Sequence, residues 1–161
     1  GQELYAVNDL FIGARTHISA RYQIQQAQAG RKIEVTEDQS SSGIIVSTGL
    51  GSTGWFQSLL AGAAAIAGHP LADKVSAMQG RGIPWDAHEL RYTVREPFPS
   101  RTTQTSMVFG AITPDHPLKL ISQMPGYGVI FSDGIEADFL EFNAGMTATI
   151  ALAEREGRLV T

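Results

Sequence analysis

The 161-residue chain contains no cysteine. Disulfides and thiolate metal sites are therefore excluded, in keeping with a reducing compartment such as the cytoplasm. It also lacks any long run of like charge: 12 Lys+Arg against 16 Asp+Glu leave a formal net charge of -4. Without a basic stripe or an acidic tail, nucleic acid is not an expected partner. No apolar run approaches the roughly 20 residues that a membrane span needs, and the first residues lack the basic start and apolar stretch of a secretory signal. A cytoplasmic protein without membrane contact is the expectation. Helical periodicity is scarce as well, with one long segment from Thr53 to Ala67.

What is present is a succession of short apolar or alternating runs bounded by Gly, Pro, Ser or Asp. They are LYAVNDLFIG (4–13), SARYQIQ (19–25), RKIEVTE (31–37), GIIVST (43–48), LRYTVRE (90–96) and TSMVFGAI (105–112), then LKLIS (118–122), GVIFS (128–132), ADFLEF (137–142), TATIAL (147–152) and RLV (158–160). They predict about ten strands. The single long helix takes Ser52 or Thr53 as N-cap and stops at Gly68 before Pro70; a shorter one is expected over 70–78. With 43% hydrophobic residues, residues 1–161 suffice for one β-rich domain, mainly β, two packed sheets forming a sandwich with one main helix. The opening GQELYAVNDLFIG passes into a strand-like pattern without a polar lead, which suggests a piece of a longer polypeptide.

The most informative stretch is STGLGSTGW (47–55), which spells G-x-G-x-x-G between a strand and the helix. A dinucleotide-binding βαβ unit also needs a second parallel strand ending in an acidic residue about 20 positions on. Asp73 stands near that spacing but follows Pro70 in HPLADKV, and the later segments are all β. A P-loop fails too, because no Gly-Lys-Ser/Thr closes the turn. Two readings remain. The turn is a tight strand-to-helix connection, or it is a place where three glycines, backbone N–H groups and the hydroxyls of Ser47, Thr48, Ser52 and Thr53 meet a sugar hydroxyl or phosphate.

Asn8-Asp9 interrupts the apolar run AVNDLFI, and a buried amide beside a carboxylate requires partners. Those partners are backbone groups at a strand end or bulge, or the hydroxyls or base of a ligand in a cleft.

Taken together, Asn8-Asp9 and the later SSSGIIVSTGLGSTGW resemble the NAD kinase family. That family carries an Asn-Glu pair on a strand, then Asp-Gly, a short apolar strand and a Thr-Pro-Thr-Gly-Ser-Thr-Ala-Tyr turn opening a small-residue helix. VREPF (94–98) and SDGIEADFLEFNAGMTATIAL (132–152) are similar to the family's later sheet and its Asp-Gly hairpin, so the likeness spans nearly the whole chain. In detail it looks closest to the mitochondrial-type branch.

The resemblance implies the C-terminal domain of an ATP-dependent enzyme that phosphorylates the adenosine ribose 2′-hydroxyl of NAD to give NADP. It implies that Asn8 and Asp9 bind adenosine or ribose groups, while Thr48, Gly51, Ser52, Thr53 and Gly54 line the same pocket and face the pair across it. Trp55 takes the place of a tyrosine, keeping an aromatic face without the hydroxyl. Several positions depart from the pattern: Asp9 replaces Glu, Ser42 stands where many members have Asp, Gly49-Leu50 replaces Pro-Thr, and Gly54 replaces Ala. The family's Gly-Gly-Asp-Gly-Thr motif, which belongs to an upstream α/β domain, does not occur here. ATP and Mg would therefore be held together with that domain, no residue of this chain is assigned a catalytic or metal-binding role, and the isolated chain is expected to be inactive.

Other features are less specific. Asp86 and His88 form a pair in a loop without a third ligand, and His17, His69 and His116 show no metal spacing. Arg95, Glu96 and Arg101 end a strand where they could meet a phosphate or form a surface salt bridge. Trp85, Phe139 and Phe142 are expected in a core or interface. Exposed strand edges favour a homo-oligomer. Two other functions stay open: a lipid or sugar kinase of the same superfamily, and a non-catalytic nucleotide-sensing or assembly module.

Overall fold

Residues 1–27, 34–68 and 82–155 are described by a computed structural model. The helix expected over 70–78 and the run RLV (158–160) lie outside the described residues. Ten strands appear: β1 (Asp9–Ala14), β2 (Ala20–Ala27), β3 (Glu34–Ser41), β4 (Ile44–Ser47), β5 (Leu90–Val94), β6 (Phe109–Ile112), β7 (Leu118–Ser122), β8 (Gly128–Ser132), β9 (Phe139–Glu141) and β10 (Thr147–Ile150). They form a six-stranded sheet in the order β6-β5-β4-β1-β8-β9 and a four-stranded sheet in the order β10-β7-β2-β3. Every strand pairing within them is antiparallel. The two-sheet architecture read from the sequence is the observed one.

Alternation along the strands dictates how the sheets meet. Ile12, Ile44, Val46, Tyr92, Val94, Ile112 and Ile130 of the larger sheet close on Ala20, Tyr22, Ile24, Leu118, Leu120 and Ile150 of the smaller one. Burying each Val, Ile or Leu side chain among them contributes on the order of 1.5–3 kcal/mol. The central strands of the larger sheet are apolar on both faces, so their outer side chains need cover too. Phe11, Ile45 and Val129 form a second cluster under Trp55 and Leu59 of helix α1 (Trp55–Ala67). The helix thus makes a third layer.

Its beginning differs from the sequence expectation. Gly51–Thr53 form a 3-10 turn, and α1 starts at Trp55 with Gly54 in the N-cap position and no side-chain cap. Ser52 cannot cap because its hydroxyl is engaged elsewhere. Strand β1 also starts later than the apolar run, at Asp9, which puts Asn8 just before its first residue. Phe142 is core, whereas Trp85 is 68% exposed and so lies outside the core.

Candidate functional site

Two of the three turn glycines have a steric cause inside the protein. A Cβ on Gly49 would stand 2.1 Å from the Pro84 carbonyl oxygen, and one on Gly51 would stand 2.1 Å from that of Asn8. Only glycine permits these approaches. Gly54 is different, since a Cβ there would meet nothing closer than the Gly51 carbonyl oxygen at 3.4 Å. It is exposed, and its bare backbone lies open to a ligand.

The hydroxyls do not all converge as the sequence suggested. Ser47 donates to the Thr48 carbonyl at 3.0 Å. Ser52 donates to the Gly49 carbonyl at 2.7 Å and accepts the Ile83 N–H at 3.1 Å, bracing the turn from within. Thr48 donates to the Val7 carbonyl at 2.6 Å and accepts the Gly51 N–H at 3.2 Å. These three satisfy backbone groups that a tight connection leaves without partners. Thr53 alone is exposed and makes no side-chain hydrogen bond among the described residues.

Asn8 and Asp9 stand at a strand end with backbone partners, the first of the two earlier readings, and the Asn8 side chain is exposed rather than buried. Their backbone has partners: the Thr48 N–H donates to the Asn8 carbonyl at 2.9 Å. From the other side, the Asp133 carboxylate accepts the N–H groups of Val7 at 2.9 Å, Asn8 at 2.6 Å and Asp9 at 3.3 Å, and Asp133 returns its own N–H to the Asp9 carbonyl. The pair therefore abuts the glycine turn directly. Its side chains accept and donate nothing among the described residues. Burial raises the Asp9 carboxyl above its ordinary pKa, and the charge of Asp133 raises it further.

These elements enclose an open cleft of about 390 Å³ lined by Asn8, Asp9, Leu50, Gly51, Thr53, Gly54, Trp55, Asp133 and Gly134. An amide, a carboxylate, one free hydroxyl, uncapped helix N–H groups and an indole face a common space. Such a set can hydrogen-bond sugar hydroxyls and pack a planar base. Of the residues singled out from sequence, Asn8, Asp9, Gly51, Thr53, Gly54 and Trp55 line this space. Thr48 and Ser52 stand behind it as braces. Ser42 lies at the opposite end of β4, with its N–H on the Arg95 carbonyl, and does not line the cleft. Among the described residues, no group of three or more His, Cys, Asp or Glu side chains could hold a metal ion.

Asp133 is the residue that the sequence reading missed. It was legible only as a turn, and that it is: Asp133 and Gly134 have φ of 53° and 73°, and the Ile135 N–H donates to the Ser132 carbonyl. Its carboxylate's role depends on β8 pairing with β1, which no local pattern encodes.

No family model matches the sequence, and no curated protein does. Solved structures match the fold. An NAD kinase from Archaeoglobus fulgidus, determined in complex with ATP, superposes with a TM-score of 0.58 at 17% identity over 92% of this chain and 46% of that one. Yeast NADH kinase complexed with NADH gives a TM-score of 0.56 at 15% identity over 91% of this chain and 34% of that one. The chain thus spans less than half the length of either protein, and shares with each the two-sheet fold.

Proposed function

We propose that the chain is the dinucleotide-binding C-terminal domain of an ATP-dependent NAD kinase, acting on the adenosine ribose 2′-hydroxyl of NAD. The observation that supports this most is the meeting, in one cleft, of the side chains of Asn8, Asp9 and Thr53, without hydrogen-bond partners among the described residues, beside the bare backbone of Gly54 and the indole of Trp55. In this reading Asp9 accepts a hydrogen bond from a ribose hydroxyl, Asn8 and Thr53 orient the adenosine, and Trp55 packs against a ring. Thr48, Gly51 and Ser52 hold the turn in place.

Phosphoryl transfer needs ATP phosphates, magnesium and the acceptor hydroxyl in line. In this reading an upstream domain of the same polypeptide supplies that half, and the chain alone has no turnover. The edge strands β6, β9 and β10 suit self-association, whereas the edge of β3 is covered by Phe98 and Gln104.

The test is ATP-dependent NADP formation by the full-length polypeptide carrying Asn8→Ala or Thr53→Ala. Each should lower kcat/KM by about tenfold or more, the size of a lost hydrogen bond to a positioned substrate, with an unchanged thermal melt. Wild-type rates in both variants would remove the assignment.

A further inference from the structure

The half-buried indole of Trp55 borders two hollows. It lines the cleft that holds Asn8, Asp9 and Thr53, and it also lines a groove of about 190 Å³ shared with Phe11, Phe131, Phe139 and Arg95. Phe11, Phe131 and Phe139 are direct partners across β1, β8 and β9, so their side chains share the outer face of the larger sheet and floor this groove. Close-packed interiors leave few voids larger than a water molecule. With a groove on one flank and an open cleft on the other, packing alone does not fix where the indole lies.

Among the described residues, two ring contacts restrain it. The indole is stacked on Phe11 with centroids 5.8 Å apart and planes 7° apart, which sets its plane but leaves it free to slide. Arg95 supplies the second restraint, its guanidinium carbon lying over the indole 5.4 Å from the ring centroid. The backbone of Arg95 is pinned beyond the end of β5, where its N–H donates to the Gly43 carbonyl at 2.8 Å and its carbonyl accepts the Ser42 N–H at 2.9 Å. This placement costs stability. The Nε of Arg95 is buried without a hydrogen-bond partner, and among the described residues the guanidinium forms no ion pair, although Glu136 lines the same groove. A buried charged donor without an acceptor is unfavourable, so stability alone does not account for arginine at this position.

We propose that Arg95 is a positioning residue for the dinucleotide site, its guanidinium holding the Trp55 indole at the cleft and keeping it from retreating into the groove. The inference rests on the dinucleotide reading of the cleft. Arg95 itself does not line the cleft, so its influence on a bound nucleotide passes through the indole. Without the cation, the ring has space to withdraw, and a substrate must first draw it back; that lowers affinity without altering the reacting groups.

The experiment is a double-mutant cycle in the full-length polypeptide, Arg95→Met against Trp55→Leu, read by ATP-dependent NADP formation and by thermal melts. Methionine keeps an unbranched stem and removes the cation. Arg95→Met should raise the KM for NAD about threefold to tenfold, the reach of one cation–π contact, and leave kcat unchanged. Its melting temperature should be no lower than the parent's, because a buried donor without an acceptor has gone. In the Trp55→Leu background the same substitution should move KM by less than about twofold, since the ring it acts through is absent. A merely structural arginine would instead lower the melt and act equally in both backgrounds. The proposal is overturned by an unchanged KM in Arg95→Met, by an undiminished effect of that substitution in Trp55→Leu, or by a lowered melt of Arg95→Met. A parent protein that forms no NADP and shows no calorimetric binding of NAD would remove the dinucleotide reading itself, and this inference with it, a result distinct from the other three.

Discussion

The Oδ1 of Asp133 accepts the backbone N–H of Asn8 at 2.6 Å, joining residues 125 positions apart. Asp133→Asn should keep the shape but replace one acceptor oxygen with a donor aimed at backbone N–H groups. With the bonds partly exposed, the loss should be about 1–2 kcal/mol of stability, read by urea denaturation, together with weaker dinucleotide binding. A variant as stable as the parent would show that the clamp contributes nothing.

Asp9 gives a pH dependence of definite sign. Its folded-state pKa lies above the ordinary 3.8 through burial and then the charge of Asp133. The protonated form is favoured by folding, so its stabilising contribution is complete below 3.8 and is lost as pH rises through the raised value. Asp9→Asn should therefore raise the melting temperature at neutral pH, and the difference should vanish in acid. Melting curves across pH 3 to 7 check this; a variant less stable at neutral pH would contradict it.

Ser52 and Thr53 are neighbours with opposite expected behaviour. Ser52→Ala removes a hydroxyl bonded to the Gly49 carbonyl and the Ile83 N–H, and should cost about 1–3 kcal/mol. Thr53→Ala should change stability by less than about 0.5 kcal/mol, because its side chain is exposed. Paired calorimetric melts and NAD titrations decide it: stability should fall in the first, and binding in the second.

Gly51→Ala is expected to displace the turn. The new Cβ would overlap the Asn8 carbonyl oxygen, and relief through backbone movement should cost about 1–3 kcal/mol or more. Gly54→Ala meets no such contact and should fold normally. Equal melting temperatures for the two would refute the steric argument.

Alkaline behaviour follows from the core. Burial, and then the charge of Glu37, pushes the Tyr92 phenol up to about 12, and burial also raises Tyr22. Both favour the protonated form when folded, so stability should decline as pH rises above the ordinary tyrosine value of 10. In an absorbance titration, these two should ionise only together with unfolding.

The strands were legible because alternation and turn residues are local signals: the SARYQIQ run covers most of β2, and LKLIS coincides with β7. The start of α1 was not. Ser52 has the residue type of a cap, but tertiary contact with Gly49 and Ile83 claims its hydroxyl first. The same limit applies to the site. Asn8, Asp9 and Thr53 stood out by residue type and Trp55 through the resemblance, whereas Asp133 could not, because its carboxylate acts through a register between distant strands. Ser42 was selected by resemblance alone, and its position at the far end of β4 depends on strand direction.

Strand β1 lies between β4, which follows it closely in the chain, and β8, which comes only near the end. During synthesis, one flank of β1 can pair early while the other waits for most of the polypeptide to emerge. Closing so large a loop is slow, as it is for other topologies dominated by distant pairings. Asp133 follows directly after β8, so the cleft gains its second wall only in a late folding step. A chain stopped before β8 would hold the glycine turn and the Asn-Asp pair yet leave the β8 flank of β1 bare, prone to sticking to other nascent strands.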